Sequence, residues 1–241
     1  MKELSKSIAR RMADPNFARR WFVGEGLDIG GKPDPLSIYA PFFPAITGVR
    51  VWDWEDGDAQ KLAGLPRESL DFVHSSHCLE HLVDPREGIA AWFGAVKPGG
   101  FLVITVPDED LYEQGVFPST HNLDHKWTFT VMKAASWSDR SINLVELLSG
   151  LGAAADIERI ALLNATFRYD LPRFDQTLTP IGECGIEFVV RKRSAEELAA
   201  GGLVRRTAQP SPADRRHFNQ YRSDHAHLKT NAPPFLNKDE L

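Results

Sequence analysis

The chain is poor in cysteine and has no long apolar run. Among its 241 residues are two cysteines, Cys78 and Cys184, which are too few for a disulfide framework and lack metal-ligand spacing. We expect both to be free thiols in a reducing compartment. No stretch approaches the length of a membrane span, and the first residues lack the apolar segment of a signal peptide. The sequence therefore predicts a cytoplasmic protein without a membrane span.

The chain also lacks an excess of basic residues. Its 28 Lys and Arg against 33 Asp and Glu give a net charge of −5, which argues against a nucleic-acid partner. Short basic clusters, such as residues 191–193, are expected to be solvated. The last four residues, 238–241, spell an endoplasmic-reticulum retrieval signal, but without a signal peptide we interpret this match as chance.

Residues 70–107 are the most informative stretch of the chain. The apolar run 70–73 is long enough for a buried strand, and it turns abruptly polar in His-Ser-Ser-His. Asp84 and Pro85 are typical of a helix start, and the apolar run 101–106 is typical of a central parallel strand. In open α/β sheets, ligands bind outside the carboxyl ends of strands. This strand end is therefore the first candidate for a functional site.

A glycine turn and an acid form a second motif. A brief strand over residues 26–29 ends at Gly30, and Asp53 closes the next strand, 23 residues later. In nucleotide-binding folds, glycine lets the backbone approach the ligand and such an acid accepts hydrogen bonds from the ribose hydroxyls. A tight turn followed by an ordinary strand-end acid gives the same pattern, so the motif alone is weak evidence.

The remaining chain suggests three parts: an N-terminal helical segment (1–23), a main domain (24–193), and a C-terminal helix with an extended arm (194–241). Within the main domain, we predict an amphipathic helix over 141–151, and the long loop 111–128 is typical of a lid or substrate loop. The arm is polar and proline-bearing, so we expect it to wrap the domain, to join a homodimer, or to be disordered.

Three phrases in order now suggest a family: Leu-Asp-Phe-Val at 70–73, Leu-Glu-His-Leu-Val-Asp-Pro at 79–85, and Val-Lys-Pro-Gly-Gly-Phe-Leu-Val at 96–103. Together they resemble the class I S-adenosylmethionine-dependent methyltransferases of the small-molecule branch, over about residues 24–165, and are similar to bacterial polysaccharide-associated members. The resemblance implies an α/β fold with a Rossmann-like, mainly parallel sheet, helices on both faces and an antiparallel last strand. Because four residues separate Asp53 from Asp58, we expect the second βα unit to be shortened.

The resemblance also implies residues that hold the cofactor, S-adenosylmethionine. Asp28 would lie near the methionine amino group, and Asp53 would accept hydrogen bonds from the ribose hydroxyls. Asp58 would accept a hydrogen bond from the adenine amine. Lys32 stands where relatives usually have a second glycine. The predicted cofactor residues are Asp28, Gly30, Gly31, Asp53, Trp54, Asp58, Ala59, Ser75 and Ser76.

A hydroxyl acceptor of a methyl group needs a base, and histidine is the usual base near neutral pH. The candidates for contact with the acceptor or for this role are His125, His77, His121 and Asp124. We expect His81 to be structural. A metal site from His121, Asp124 and His125 is conceivable, but three ligands on a loop do not define a geometry, and we predict no metal.

The sequence therefore predicts an O-methyltransferase for a small hydroxylated acceptor. A sugar or polysaccharide precursor is favoured because residues 107–114 are rich in groups that bind hydroxyls. The alternative is a catalytically degenerate methyltransferase fold that binds a protein partner, which Lys32 favours and the retained acids disfavour. A dinucleotide-dependent oxidoreductase ranks third, because residues 30–32 lack the three spaced glycines that a pyrophosphate needs.

Overall fold

A six-stranded sheet forms the centre of the protein in the computed structural model, which describes residues 3–204. In spatial order, the strands are β2-β1-β3-β4-β8-β7. A separate small sheet pairs β5 with β6 in parallel. The strands are β1 (Gly24–Ile29), β2 (Ile46–Trp52), β3 (Leu70–Ser76), β4 (Val96–Pro107), β5 (Thr128–Thr130), β6 (Ser141–Asn143), β7 (Ala155–Leu163) and β8 (Gly185–Lys192).

The strand directions confirm the predicted topology. Strands β2, β1, β3 and β4 are parallel, whereas β8, the last strand within residues 3–204, is antiparallel to both β4 and β7. The carboxyl ends of β1, β2 and β3 therefore meet at one edge of the sheet, as parallel strands require.

Helices cover both faces of the sheet, as expected. The α-helices are α1 (Leu4–Ala13), α2 (Leu36–Tyr39), α3 (Pro85–Ala95), α4 (Leu144–Ser149) and α5 (Ala195–Ala200). Because successive strand residues point to opposite faces, β3 supplies Val73 to a core shared with α3 and α4, and Phe72 to a core shared with α1 and α2. A π-helical turn, Phe17–Trp21, completes the second core.

The β2 side of the sheet is shortened, as the spacing of the acids predicts. Between β2 and β3 the chain forms one 3₁₀ turn, Trp54–Asp56, followed by irregular turns, and residues 3–204 contain no strand beyond β2. The residues of this half that the sequence predicts to hold a cofactor therefore lie on turns close to the surface.

The prediction of a helix over 141–151 is wrong in its first turn. Residues 141–143 form β6, and α4 begins at Leu144. Tertiary contacts override the helical periodicity, because Ser141 donates a hydrogen bond to the buried Glu109 and Asn143 exchanges hydrogen bonds with the Lys133 backbone.

The C-terminal part of the chain is described as far as Val204. The predicted helix at its start is α5, but the arm, residues 205–241, lies outside the described residues. None of the helices within residues 3–204 combines the length and the apolar composition that crossing a bilayer requires.

Candidate active site

An open cavity of about 1030 Å³ lies at the carboxyl ends of β1, β2 and β3. Its volume suits a cofactor together with a small acceptor, since ligand pockets measure roughly 300–1,000 Å³. The cavity extends from the glycine turn after β1, past the acids after β2, to a cluster of histidines after β3. The strand end singled out by the sequence therefore opens into a cavity.

The glycine turn after β1 presents bare backbone to this cavity. Gly30 has a φ of +69°, and a Cβ atom there would lie 2.9 Å from the Cys78 side chain. A Cβ atom on Gly31 would lie 2.4 Å from Oδ2 of Asp28. Both positions therefore need glycine, because a side chain would displace a neighbour that lines the cavity.

Lys32 leaves this turn open. Its ammonium group pairs with Glu55 at 2.8 Å, and both side chains are exposed. Its backbone N–H donates to Oδ2 of Asp53 at 3.0 Å. The lysine side chain thus lies at the surface, and its amide ties the glycine turn to the acid after β2.

Asp53 lies at the cavity and also caps a turn. Its Oδ1 accepts from the Trp54 amide at 2.9 Å, while its own N–H donates to Asp56. A carboxylate offers about four lone-pair positions, so Asp53 can still accept hydrogen bonds from a ligand. Trp54 is 93% exposed and free to stack on a flat ring.

Asp58 and Ala59 continue this wall of the cavity. Asp58 is exposed, and its Oδ1 accepts from the Gln60 amide at 2.9 Å. The carbonyl of Ala59 accepts from the Trp92 indole at 2.7 Å, which anchors the segment to α3. The segment is thus held by its backbone, and the second carboxylate oxygen of Asp58 faces outward.

Asp28 is held by a buried chain of side chains that starts on α1. Arg11 can only donate, so its 3.0 Å contact makes Nε2 of His74 an acceptor and puts the ring proton on Nδ1. That proton is donated to Oδ1 of Asp28 at 2.6 Å, and Oδ2 accepts from the Leu36 amide at 2.7 Å. Burial lowers the pKa of His74, in agreement with a neutral ring. Both oxygens of Asp28 therefore have protein partners, although the residue lines the cavity.

Arg11 itself is wholly buried and pairs with the equally buried Glu187 at 2.9 Å. Sequence reasoning missed Arg11, His74 and Glu187, because the first and last of them lie 176 positions apart. A lone arginine on a helix face gives no sign of its partner on the last strand.

The two serines at the end of β3, Ser75 and Ser76, point to opposite faces of the sheet. Ser76 lines the cavity, whereas the Ser75 hydroxyl is buried and donates to the Ile29 carbonyl at 2.9 Å. The prediction that both serines line the cofactor site is therefore corrected for Ser75, because neighbouring residues of a strand face opposite sides of the sheet.

Three histidines surround one buried carboxylate beyond Ser76. Oε1 of Glu80 lies 3.4 Å from Nδ1 of His77, 3.9 Å from Nε2 of His125 and 4.0 Å from Nε2 of His81. Burial raises the pKa of Glu80, but the surrounding imidazoles outweigh it and hold the pKa below its ordinary value. Burial lowers the pKa of His77, but the Glu80 carboxylate outweighs that effect and raises it.

His125 is the buried member of this cluster and has a second acidic partner. Its Nδ1 lies 2.7 Å from Oε1 of Glu113, and its ring packs on Tyr112. His81, expected to be structural, lines the cavity together with His77 and His125. The sequence reading missed Glu80 and Glu113. The signal for Glu80 was its place beside His81 in a turn that follows a strand end.

The other two candidates lie at the edge of the cluster. The His121 ring packs against Tyr112 and does not line the cavity. Asp124 lines the cavity, but its carboxylate is exposed, and its contact with the cluster is made by its backbone carbonyl, 3.2 Å from Nδ1 of His81. The structure therefore does not gather His121, Asp124 and His125 into one site.

The acids of residues 107–110 have internal partners. Glu109 is wholly buried and accepts from Ser136, Ser141 and Lys133. Asp110 accepts from the Trp137 indole at 3.0 Å. The argument for a sugar acceptor from this loop is therefore wrong, since these acids fasten the loop to the small sheet. The loop's first turn, Glu109–Glu113, is π-helical.

Asp108, which caps this turn, makes stability depend on pH. It accepts from the Asp110 and Leu111 amides at 3.0 Å, and burial raises its pKa to about 6. An acid with a raised pKa stabilises the fold when protonated, so this contribution is complete below about pH 4 and is lost as pH rises through 6. Asp108→Asn keeps the cap but cannot ionise. Relative to wild type, its free energy of unfolding should therefore increase by about 1–1.5 kcal/mol when the pH is raised from 5 to 7.5. Urea unfolding at the two pH values measures the gain, and equal differences at both would contradict it.

Comparison with known proteins agrees with the fold. A profile of the methyltransferase domain family matches residues 3–160. A putative methyltransferase from Bacillus halodurans superposes with a TM-score of 0.50 at 14% identity, covering 78% of this chain and 99% of that one. An S-adenosylmethionine-dependent methyltransferase from Archaeoglobus fulgidus gives a TM-score of 0.47 at 21% identity, with coverages of 80% and 95%.

One curated relative matches part of the chain. The ubiquinone biosynthesis O-methyltransferase of Saccharophagus degradans is 36% identical over 84 residues, which are 35% of this chain and 34% of that protein. The match thus spans about a third of the relative's length. The narrower similarity to polysaccharide-associated methyltransferases is not confirmed by these comparisons.

The parallel sheet with an antiparallel last strand, and the cavity at its carboxyl edge, define a Rossmann-like methyltransferase fold. The chain belongs to the methyltransferase domain family, whose profile covers about two thirds of it.

Proposed function

We propose that this protein is an S-adenosylmethionine-dependent methyltransferase, and that it methylates an oxygen of a small hydroxylated acceptor that binds against the histidine cluster. The observation that carries the proposal is that one continuous cavity joins the glycine turn and Asp53 to His77, His81 and His125. The cofactor and the acceptor would occupy its two ends. The Saccharophagus relative is an O-methyltransferase by name, which supports oxygen as the acceptor atom.

The residues at the first end of the cavity fit the cofactor. Gly30 and Gly31 both line the cavity without a side chain, as close approach of a ligand to the backbone requires. Asp53 would accept from the ribose hydroxyls, Asp58 from the adenine amine, and Trp54 would stack on the adenine ring. When bound, S-adenosylmethionine supplies a methyl group on a sulfonium, and the sulfur keeps the electron pair of the bond that breaks.

The second end of the cavity, at the histidine cluster, would bind the acceptor and align its hydroxyl for methyl transfer. Methyl transfer depends mainly on alignment, because the methyl group is already activated, so fixed side chains supply much of the acceleration. His125 is fixed by Glu113 and Tyr112, and His77 by its contact with Glu80. A hydroxyl placed among these rings forms its bond to the methyl carbon and loses its proton to the cluster or to water.

The partner-binding alternative loses its main argument. Lys32 raised doubt because it replaces a glycine of the cofactor turn, yet its side chain pairs with Glu55 at the surface. This arrangement supports cofactor binding. The sugar acceptor and the cytoplasmic location stay predictions.

The test is calorimetric titration of the full chain with S-adenosylmethionine and its demethylated product, followed by transfer of a labelled methyl group to a panel of phenols, catechols and sugars. We expect both nucleosides to bind at micromolar to millimolar concentrations and the label to appear as an alkali-stable methyl ether. Absence of binding at millimolar concentration contradicts the proposal.

Trp54→Ala should weaken cofactor binding without loss of stability. Removing one aromatic stacking partner costs about 0.5–1.5 kcal/mol, so we expect the dissociation constant to rise roughly threefold to tenfold. The melting temperature should not change, because the Trp54 side chain is almost fully exposed. Trp54→Phe serves as the control, since it keeps a stacking surface and should restore most of the affinity.

A further inference from the structure

Glu80 is the one carboxylate within residues 3–204 whose two oxygens are both buried without a hydrogen-bond donor. Its side chain is wholly buried and lines the cavity. Buried polar groups are nearly always hydrogen-bonded, and a buried charge is paired or binds a metal. The nearest nitrogen, Nδ1 of His77, is 3.4 Å away, beyond the range of a normal N–H···O bond. Glu80 therefore has an ion-pair contact with His77 but no hydrogen-bond donor at normal distance on either oxygen, and its carboxylate can accept a further cationic or donor group.

The two other imidazoles present lone pairs to Glu80. Nδ1 of His81 lies 3.2 Å from the Asp124 carbonyl, which can only accept, so the Nδ1 proton is donated there. Nδ1 of His125 likewise donates to the Glu113 carboxylate at 2.7 Å. In neutral rings Nε2 then carries the lone pair, and both Nε2 atoms are 3.9–4.0 Å from the same Glu80 oxygen. Two lone pairs and a carboxylate repel one another unless the rings take up protons or a cation lies between the three groups, and one divalent ion would satisfy all three at once.

This arrangement matches the surroundings of protein metal sites. A histidine that binds a metal usually donates its other N–H to a carboxylate or a backbone carbonyl, which fixes the ring and raises its basicity. Glu113 and the Asp124 carbonyl supply these two partners. Two imidazoles and one carboxylate suit zinc and similar divalent ions, and three protein ligands leave a position open.

We propose that Glu80, His81 and His125 bind a divalent transition-metal ion, through the Glu80 carboxylate and Nε2 of both histidines. The three ligand atoms lie within 4.8 Å of one another. Tetrahedral ligands with bonds near 2.1 Å lie about 3.4 Å apart, so ring movements on the order of 1 Å close the site. His81 is partly exposed and has room for this movement.

The ion would complete the acceptor half of the cavity. This part of the inference rests on the proposed O-methylation. An acceptor hydroxyl would take the open position, where the ion would lower the pKa of that hydroxyl so that its proton could leave to water through the open cavity. His125 then serves as a ligand, and no oxidant or reductant is required. The acceptor class is a hydroxyl that can approach a metal, such as a phenol or catechol.

The test measures metal binding directly on the full chain. Protein stripped with EDTA is titrated with Zn²⁺ by calorimetry and with Co²⁺ by visible absorption, whose intensity reports four-coordinate nitrogen and oxygen ligands. We expect one ion per chain. Glu80→Gln and His81→Ala should each weaken zinc binding by at least about a hundredfold. His121→Ala, on the same loop as His125 but outside the triad, should keep wild-type affinity.

The outcomes separate this inference from the proposed function. S-adenosylmethionine binding is measured on each preparation, and it should persist in His81→Ala, which also verifies folding. If wild type binds cofactor but no ion, or if zinc binding survives Glu80→Gln and His81→Ala, the metal site is overturned and O-methylation stands. Loss of zinc in His121→Ala would overturn the triad in favour of a different ligand set. If zinc binds as expected but cofactor does not, the proposed function fails and the metal site stands.

Discussion

Asp53→Ala is expected to weaken S-adenosylmethionine binding by at least about a hundredfold. The two ribose hydroxyls would both donate to this carboxylate, and a hydrogen bond to a charged group contributes about 1.5–3 kcal/mol. Losing two of them amounts to about 3–6 kcal/mol, or two to four orders of magnitude in the dissociation constant. Calorimetric titration of the variant with the cofactor and with its demethylated product measures the change.

Asp53 also holds its own turn, so this experiment needs a structural control. Its carboxylate accepts from the amides of Lys32 and Trp54, and Asp56 completes the cap from the other side. Asp56→Ala removes that half of the cap and leaves Asp53 in place. We expect Asp56→Ala to lose less than about tenfold in affinity, through a loosened turn that costs about 1 kcal/mol. Equal losses in the two variants would mean that Asp53 acts through the turn and not on the ribose.

Arg11→Met is expected to destabilise the protein by about 3 kcal/mol or more. Arg11 and Glu187 are both wholly buried and lie 2.9 Å apart, and removal of one partner of a buried ion pair typically costs about 3–5 kcal/mol. Arg10 also contacts Glu187, at 2.7 Å, which leaves the carboxylate one cation and limits the loss. Urea unfolding followed by far-UV circular dichroism gives the free energy of unfolding.

Arg20→Met is the matched control for this prediction. Arg20 lies in the same N-terminal segment and pairs with Glu158, but half of its side chain is exposed. Surface ion pairs contribute between about 0 and 1 kcal/mol, so this variant should lose no more than that. If both variants lost a similar free energy of unfolding, burial of the Arg11–Glu187 pair would not be what determines how much the pair stabilises the fold.

Arg11→Met should also affect the cofactor end of the cavity. The Arg11 guanidinium fixes the tautomer of His74, and His74 holds Asp28. Without Arg11, Nε2 of His74 lacks its donor, and the ring can turn or change its tautomer. A lower affinity for S-adenosylmethionine under conditions where the variant stays folded would identify Arg11 as a positioning residue for Asp28.

The strand-helix-strand unit from residue 70 to residue 107 could be predicted from the sequence because its signals are local. Asp84 accepts from the Arg86 and Glu87 amides at the start of α3, with Pro85 in the first turn. The turn between Asp53 and Asp58 is too short for a helix and a strand, which made the shortened sheet edge predictable.

The histidine cluster could not be assembled in the same way. Glu80 and His81 lie in a 3₁₀ turn, Leu79–His81, and the direction of their side chains depends on what packs around that turn. His125 and Glu113 come from a segment without hydrophobic periodicity, so nothing in the sequence specifies that they meet. The acids of residues 107–114 suggested a sugar for the same reason, since their partners on the small sheet lie far along the chain.

The sequence by itself determined the parallel strand-helix-strand unit and the edge of the sheet that opens into the cavity, because hydrophobic runs, caps and glycine turns are local properties. The family and the antiparallel last strand followed from the resemblance that its motifs carry. The tertiary structure alone decided that Ser75 faces away from the cavity, that Arg11 reaches Asp28 through His74, and that Glu80 lies among three histidines without a hydrogen-bond donor at normal distance. Those arrangements depend on side chains that are distant in the chain and are brought together by burial of the two cores.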